Sequence, residues 1–249
     1  METAVALPKS VFSTTSSPKM SPRYVHINSY EVLDLMQQEG FVVASGTSTK
    51  VRPGREPLYA KHQVDLRLPN APVVDGAVPR ILFTNSHDGS TSAKFMMGVY
   101  RFICSNGLVI GSTYAREVAR HSGEQAAQLI DRVRALAKNT GPMFAQIEAW
   151  SKRELSDTEA QELASLASVL RFGDVNRFDP KQLLATRRGE DEGRSLWRVF
   201  NRIQENAMAG GLVGFSTDGR RLASRPVRNI DQNTQFNADL WRLAEEFAS

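Results

Sequence analysis

Residues 80–103 read RILFTNSHDGSTSAKFMMGVYRFI, in which two apolar runs flank a polar segment. Residues 80–84 form the first run and residues 94–103 the second. The segment 85–89 between them contains Asn, Ser, Asp and Gly, which favour turns because they bond to nearby backbone or accept left-handed conformations. The connection is too short for a parallel crossover, so the stretch predicts two antiparallel strands.

Further strand patterns lie on both sides of this pair. Residues 41–44 predict a strand, and residues 58–68 alternate between apolar and polar side chains, which is typical of a strand with one wet face. Downstream, Asn106-Gly107 is a strong two-residue turn signal before a third apolar run at 108–110. We therefore expect an antiparallel meander over residues 41–111.

Helical periodicity dominates the rest of the chain. A first helix is predicted over 29–39, with Ser29 as its cap, and later helices over 124–138, 142–153, 180–185, 194–209 and 237–247. Ser156 and Glu159 have the spacing of a capping box at the start of another helix. The predicted fold class is α+β: an N-terminal antiparallel meander sheet with a helix-rich C-terminal half at 122–249. Residues 1–22 are predicted to be a disordered tail, and residues 23–249 a single domain.

Composition excludes several classes of protein. The 249 residues include one cysteine and four scattered histidines, so we expect no disulfide and no metal site. The chain has neither a phosphate-binding G-x-x-x-x-G-K-[ST] loop nor a G-x-G-x-x-G motif, so no cofactor is expected. No apolar run approaches the roughly 18 residues of a membrane helix. Residues 1–22 lack the apolar region of a secretory signal.

The NSHDG segment at 85–89 has two interpretations. His87 beside Asp88 could be part of an acid–base pair, with Cys104 on the next strand as a nucleophile. Against this, adjacent residues on an extended chain point to opposite faces, so Asp88 is badly placed to orient His87. A turn is the favoured interpretation, and Cys104 is then a small buried hydrophobe.

Basic residues on the predicted meander are interleaved with aromatic residues. Cations can follow a phosphate backbone while rings stack on bases, which suits single-stranded nucleic acid. The alternative is a sheet whose core aromatics alternate with solvated charges. If the surface binds nucleic acid, the residues expected to contact phosphate are Arg52, Arg55, Lys61, Lys94 and Arg101. The C-terminal third adds an arginine-rich composition, and the formal net charge is +4.

Several blocks together resemble the family known as "domain of unknown function 932". They are residues 80–89, residues 98–108, Leu196-Trp197 with Asn201 and Glu205, and residues 237–245. The resemblance covers roughly residues 25–247 and implies a phage or plasmid protein in a bacterial cytoplasm, with no established activity to carry over. Its most specific motif residues are Asn85, Ser86, His87, Asp88, Gly89, Cys104, Ser105, Asn106 and Gly107.

These observations leave three functional hypotheses open. The favoured one is a non-enzymatic accessory protein that binds nucleic acid, above all single-stranded DNA, as single-strand annealing and recombination proteins do. The second is a counter-defence protein that binds a host defence complex or a replication protein. The third is a hydrolase that depends on Cys104 and His87. The sequence is also compatible with a homo-oligomer.

Overall fold

The structure, a computed structural model, describes residues 5–69, 71, 73–101, 116–119, 131, 141–216 and 218–249. Side chains are described for these residues except 100, 101 and 116–119. The described residues divide into two compact units. Of the described residues, the first unit takes in those up to 71, 78–99, 116–119 and 131. The second takes in 73–77, 100–101 and those from 141 onward.

A five-stranded sheet forms most of the first unit. Its strands are β1 (Val42–Ser48), β2 (His62–Arg67), β3 (Ala77–Asn85), β4 (Ala93–Arg101) and β5 (Arg116–Ala119). They lie in the order β1-β2-β3-β4-β5, and the pairs β1–β2, β2–β3 and β4–β5 are antiparallel. Short connections between sequential strands produce this order, so the predicted meander is confirmed.

One face of this sheet and the helix α1 (Ser29–Gln38) share a hydrophobic core. Val64 of β2 is registered with Phe83 of β3, and the Phe83 and Phe95 rings stack with centroids 4.7 Å apart. The predicted alternation in β2 is confirmed, because His62, Val64 and Leu66 are buried while the residues between them are half-buried. This alternation fixes which side chains point away from the core.

The residue that caps α1 differs from the predicted one. The side chain of Asn28, not of Ser29, accepts hydrogen bonds from Tyr30 N at 3.0 Å and Glu31 N at 3.4 Å. The prediction was wrong by one residue because Ser29 is fully buried and its hydroxyl bonds to side chains of the sheet instead.

The segment predicted as a disordered tail is described from residue 5 and is part of the first unit. It contains a 3-10 helix, Lys9–Phe12, which packs against a second one, Pro57–Tyr59. Val11 is fully buried in the sheet core. Leu7 lies so close to Gly46 that a Cβ there would come 2.6 Å from the Leu7 Cδ2. A pattern of serines and threonines does not reveal such contacts, because they depend on residues far along the chain.

Four helices and a small hairpin make up the described part of the second unit. The helices are α2 (Gly141–Lys152), α3 (Asp157–Phe172), α4 (Leu196–Ala209) and α5 (Ile230–Glu245). Strands β6 (Val213–Phe215) and β7 (Arg221–Ala223) form the hairpin. Two further 3-10 helices are Pro180–Leu184 and Gly189–Asp191.

The second unit contains a predicted helix cap and a core built around tryptophan. The capping box of Ser156 and Glu159 is present at the start of α3. Trp150, Trp197 and Trp241 are buried, and the ring centroids of Trp150 and Trp241 are 4.2 Å apart. With the sheet in the first half and most of the helices in the second, the α+β fold class is confirmed.

One prediction needs correction, and two others fall outside the described residues. Helix α5 begins at Ile230, whereas the prediction placed its start at Asn237. The prediction was wrong because the first turns of the helix are mostly polar and show no apolar periodicity. Nothing in the sequence predicted the β6–β7 hairpin. The predicted helix at 124–138 and the turn at 106–107 lie outside the described residues, except for position 131. Within the described ranges, no helix is long and apolar enough to cross a membrane.

Candidate nucleic-acid interface

Three exposed cations lie on the loop between β1 and β2. Arg52 and Arg55 belong to one turn, closed by a hydrogen bond of 3.1 Å from Arg55 N to Arg52 O. Both side chains are exposed, as is that of the neighbouring Lys50. Lys61 ends the loop, where its carbonyl accepts a 2.9 Å bond from Thr49 N. Three of the five predicted phosphate contacts therefore lie on this loop, namely Arg52, Arg55 and Lys61. The loop contains a single acid, Glu56.

The other two predicted contacts lie on β4. Lys94 is half-buried in the second position of the strand, and it is paired in register with Val118 of β5. Arg101 is the last residue of the strand, seven positions further on, and its side chain lies outside the described ones. Lys61 and Lys94 both make interactions within the structure. Among the described side chains of the predicted surface, the exposed arginines are therefore those of the loop.

One cation of the basic meander is used inside the sheet. Arg80 is 7% exposed, and its Nη1 lies 3.0 Å from Oδ2 of Asp65 across the β2–β3 pair. Burial raises the pKa of Asp65 to about 6, although the Arg80 charge and hydrogen bond act in the opposite direction. A buried pair of this kind neutralises both charges, so Arg80 is excluded from the candidate interface.

The NSHDG segment joins residues 5–28, which we call the N-terminal segment, to the sheet. Asn85, Ser86 and His87 are fully buried. The Asn85 amide donates to Ile27 O at 3.0 Å and to Ser29 Oγ at 2.9 Å, while its Oδ1 accepts from Ser86 N at 2.8 Å. In this way one side chain satisfies three buried polar groups, which an apolar residue cannot do.

We call residues 85–89 the latch, and its other residues add further contacts to the N-terminal segment. Ser86 O accepts from the Tyr24 hydroxyl at 2.9 Å, and His87 O accepts from Ser17 N at 2.8 Å. Burial and the charge of Asp88 raise the pKa of Tyr24 to about 12. Asp88 Oδ1 accepts from Ser90 N at 3.0 Å, which is the local turn bond that the sequence predicted.

Three histidine rings lie one against another beneath the N-terminal segment. The His87 centroid is 4.6 Å from that of His26 and 5.4 Å from that of His62. His87 Nε2 is 3.0 Å from Ser10 O, and His26 Nε2 is 3.1 Å from Ser13 O. This environment suits a structural role for His87. The other half of the proposed dyad, Cys104, lies outside the described residues, as do Ser105, Asn106 and Gly107.

His62 is held in its neutral form. Its Nδ1 is 3.1 Å from Ala60 O and its Nε2 is 2.8 Å from Ser29 Oγ, so one nitrogen donates to a carbonyl and the other accepts from a hydroxyl. Burial lowers the pKa of His62 to about 4, against a smaller opposing effect of the Ala60 hydrogen bond.

This shift predicts a loss of stability in mild acid. Between the unfolded pKa of 6.5 and the folded value of about 4, the unfolded chain binds the His62 proton and the folded one does not. We expect the protonation of His62 in the unfolded chain to lower the unfolding free energy by about 2 kcal/mol when the pH falls from 7 to 5. The conversion is about 1.4 kcal/mol per pKa unit. Urea titrations of wild type and His62→Gln at both pH values measure the difference. Since Asp65 shifts stability in the opposite direction, only the difference between the proteins isolates His62, and equal pH dependence would contradict the assignment.

The arginines preceding and within α4 mostly serve the second unit itself. Arg188 forms an ion pair with the buried Glu205 at 2.8 Å, and Arg202 Nη1 donates to Asp191 O at 3.0 Å and Gly193 O at 2.9 Å. Side chains that bond to internal acceptors in the same way are Arg187, Arg194 and Arg198. The arginine-rich composition therefore overstates the charge available to a ligand. In the described ranges, no three His, Cys, Asp or Glu side chains form a group that could hold a metal ion.

A sheet in chain order with a buried NSHDG latch, followed by a helical unit, defines this chain as an α+β protein. The chain belongs to the DUF932 family, since the sequence model of the family described as "Domain of unknown function (DUF932)" matches residues 18–241.

Two relatives come from Escherichia coli (strain K12). The UPF0380 protein YfjQ is 34% identical over 237 residues, which cover 95% of this chain and 86% of the relative. The UPF0380 protein YafZ is 35% identical over 238 residues, with the same shares covered. No solved structure matches the chain.

Proposed function

We propose that this protein is a non-enzymatic accessory protein of a phage or plasmid that binds nucleic acid, in the manner of single-strand annealing and recombination proteins. The observation that carries the proposal is the exposed cationic loop between β1 and β2, with Lys50, Arg52 and Arg55. Arginine suits this role because its planar guanidinium can grip a phosphate with two hydrogen bonds.

The setting of the loop supports a preformed binding surface. The loop is closed at its base by the bond between Thr49 N and Lys61 O. Its 3-10 helix, Pro57–Tyr59, packs against Lys9–Phe12, which brings a further exposed cation, Lys9, to this region. Annealing requires no covalent chemistry, only a surface that holds phosphates and leaves base edges free to pair. A loop that is closed at its base and presents two exposed arginines meets that requirement.

The proposal predicts that removing the two loop arginines weakens binding to DNA. In fluorescence polarisation with a labelled 30-nucleotide oligo(dT), we expect Arg52→Gln/Arg55→Gln to bind about tenfold more weakly at low salt than wild type. The slope of log affinity against log salt concentration, which we call the salt slope, should be shallower by about 1.4. Each phosphate contact on a single strand contributes about 0.7 to this slope.

The matched control removes two positive charges elsewhere. Lys152→Gln/Arg242→Gln alters cations that pair with Glu148 and Asp239, so the net charge changes equally. We expect this control to bind within about twofold of wild type, because both cations are engaged by carboxylates of the protein. Equal losses in the two double variants would show that net charge alone attracts DNA, which would contradict a site on the loop. Competition with duplex DNA then measures the strand preference.

A further inference from the structure

The β6–β7 hairpin presents an aromatic ring beside an arginine on its outer face. Phe215 is 62% exposed, more than any other large hydrophobic side chain in the described residues. It is registered directly with Arg221, which is also exposed. Side chains of directly paired residues lie on the same face of a sheet, with Cβ atoms about 4.5–5.5 Å apart. A phenyl ring and a guanidinium therefore share one solvent-facing spot.

Strand β6 of the hairpin is fixed to the rest of the second unit. Gly214 bridges to Phe178, and its backbone approaches so closely that a Cβ would lie 1.9 Å from Arg177 O. The Gln182 side chain bonds to both backbone groups of Val213. Its Nε2 donates to Val213 O at 2.7 Å, and its Oε1 accepts from Val213 N at 2.8 Å. The ring of Phe215 is thus held outward by a rigid support, at the cost of exposing a large apolar surface to water.

The charge of the hairpin and of the chain after it favours an anionic ligand. Arg221, Arg225 and Arg228 are exposed on β7 and the chain that follows it. Arg220 is engaged by Asp218 at 3.0 Å, and Asp218 is the only acid described between residues 213 and 228. An exposed ring beside an arginine matches the two needs of a single strand, since bases stack on aromatic rings and phosphates bind positive charge. In duplex DNA the base faces are stacked on one another and are not available to the ring.

We propose that Phe215 and Arg221 form a stacking site for single-stranded nucleic acid, with the base on the ring and the adjacent phosphate on the arginine. This inference rests on the proposed function and deepens it by naming residues of the second unit that stack a base and hold the adjacent phosphate. It also assigns the second unit a share in binding that is separate from the cationic loop of the first unit.

Binding of labelled oligo(dT) and oligo(rU) by the full chain tests the site. We expect Phe215→Ala to lower the affinity about tenfold with the salt slope unchanged, since stacking is not an ionic contact. Arg221→Gln should reduce the slope by about 0.7. Phe215→Trp should restore or strengthen binding. Because Phe215 is exposed, its replacement should leave thermal unfolding unchanged. Leu170→Ala, which alters another exposed apolar side chain of this unit, should bind as wild type does.

The outcomes separate this inference from the proposed function. If wild type binds with normal salt dependence but Phe215→Ala and Arg221→Gln are unchanged, the stacking site is wrong and the function stands. The site is also overturned if Phe215→Ala weakens duplex binding as much as single-strand binding. If wild type binds no nucleic acid, both proposals fail. The ratio of oligo(dT) to oligo(rU) affinity, measured with wild type, distinguishes DNA from RNA as the source of the strand.

Discussion

Replacing Asn85 by leucine is expected to lower the unfolding free energy of the first unit by about 3 kcal/mol or more, because three buried hydrogen bonds are lost together. Ile27 O, Ser29 Oγ and Ser86 N would each lose the Asn85 side chain as partner in a site without access to water. Urea denaturation followed by circular dichroism measures the loss.

A second readout follows from the position of the latch. When the NSHDG segment no longer holds the N-terminal segment, trypsin should cleave faster after the exposed Lys19 and Arg23. Asp88→Ala is the matched control from the same turn, because Asp88 is half-buried and makes a local bond to Ser90 N. We expect it to cost less than about 1 kcal/mol. Equal effects of the two substitutions would contradict a structural role for Asn85.

Gly214→Ala is expected to destabilise the β6–β7 hairpin by about 3 kcal/mol, since the new methyl group would overlap backbone that cannot move aside cheaply. The added Cβ would lie 1.9 Å from Arg177 O and 2.7 Å from Phe178 Cδ1. The change is also expected to weaken single-strand binding, because Phe215 would no longer be held outward. Hydrogen exchange over residues 213–223 measures the local opening.

The control for this prediction is a glycine with free space around it. Gly189 lies in a 3-10 helix of the same unit, and a Cβ built there meets nothing within 4 Å. Gly189→Ala should leave exchange in the hairpin and overall stability nearly unchanged. If Gly214→Ala also leaves them unchanged, the hairpin is not held against Arg177 as the structure has it.

Local sequence signals predicted most of the fold. The strand pair around residues 80–103, the alternation of β2 and the capping box of α3 all follow from patterns that span a few residues. The first turns of α5 were missed because their side chains are mostly polar, and burial becomes continuous only from Phe236 to Ala238. The hairpin was missed because three-residue strands are too short to show a period.

The candidate site was harder to predict, because residue type does not reveal its partners. Arg80 and Arg52 are equally basic in the sequence, yet one is buried against Asp65 and the other is exposed on a loop. The NSHDG segment did predict a turn, but its partners Ser10, Ser17 and Tyr24 lie more than 60 residues away. No local pattern predicts contacts over that separation.

The dependence of single-strand affinity on salt tests the proposed function most directly. With wild-type protein and oligo(dT), contacts by Lys50, Arg52, Arg55 and Arg221 predict a slope of about −3 in a plot of log affinity against log salt concentration. A slope near that value, with weaker binding to duplex of equal length, is the expected result. A slope near zero, or no binding at low salt, would contradict the claim that this protein holds a nucleic-acid strand by its phosphates.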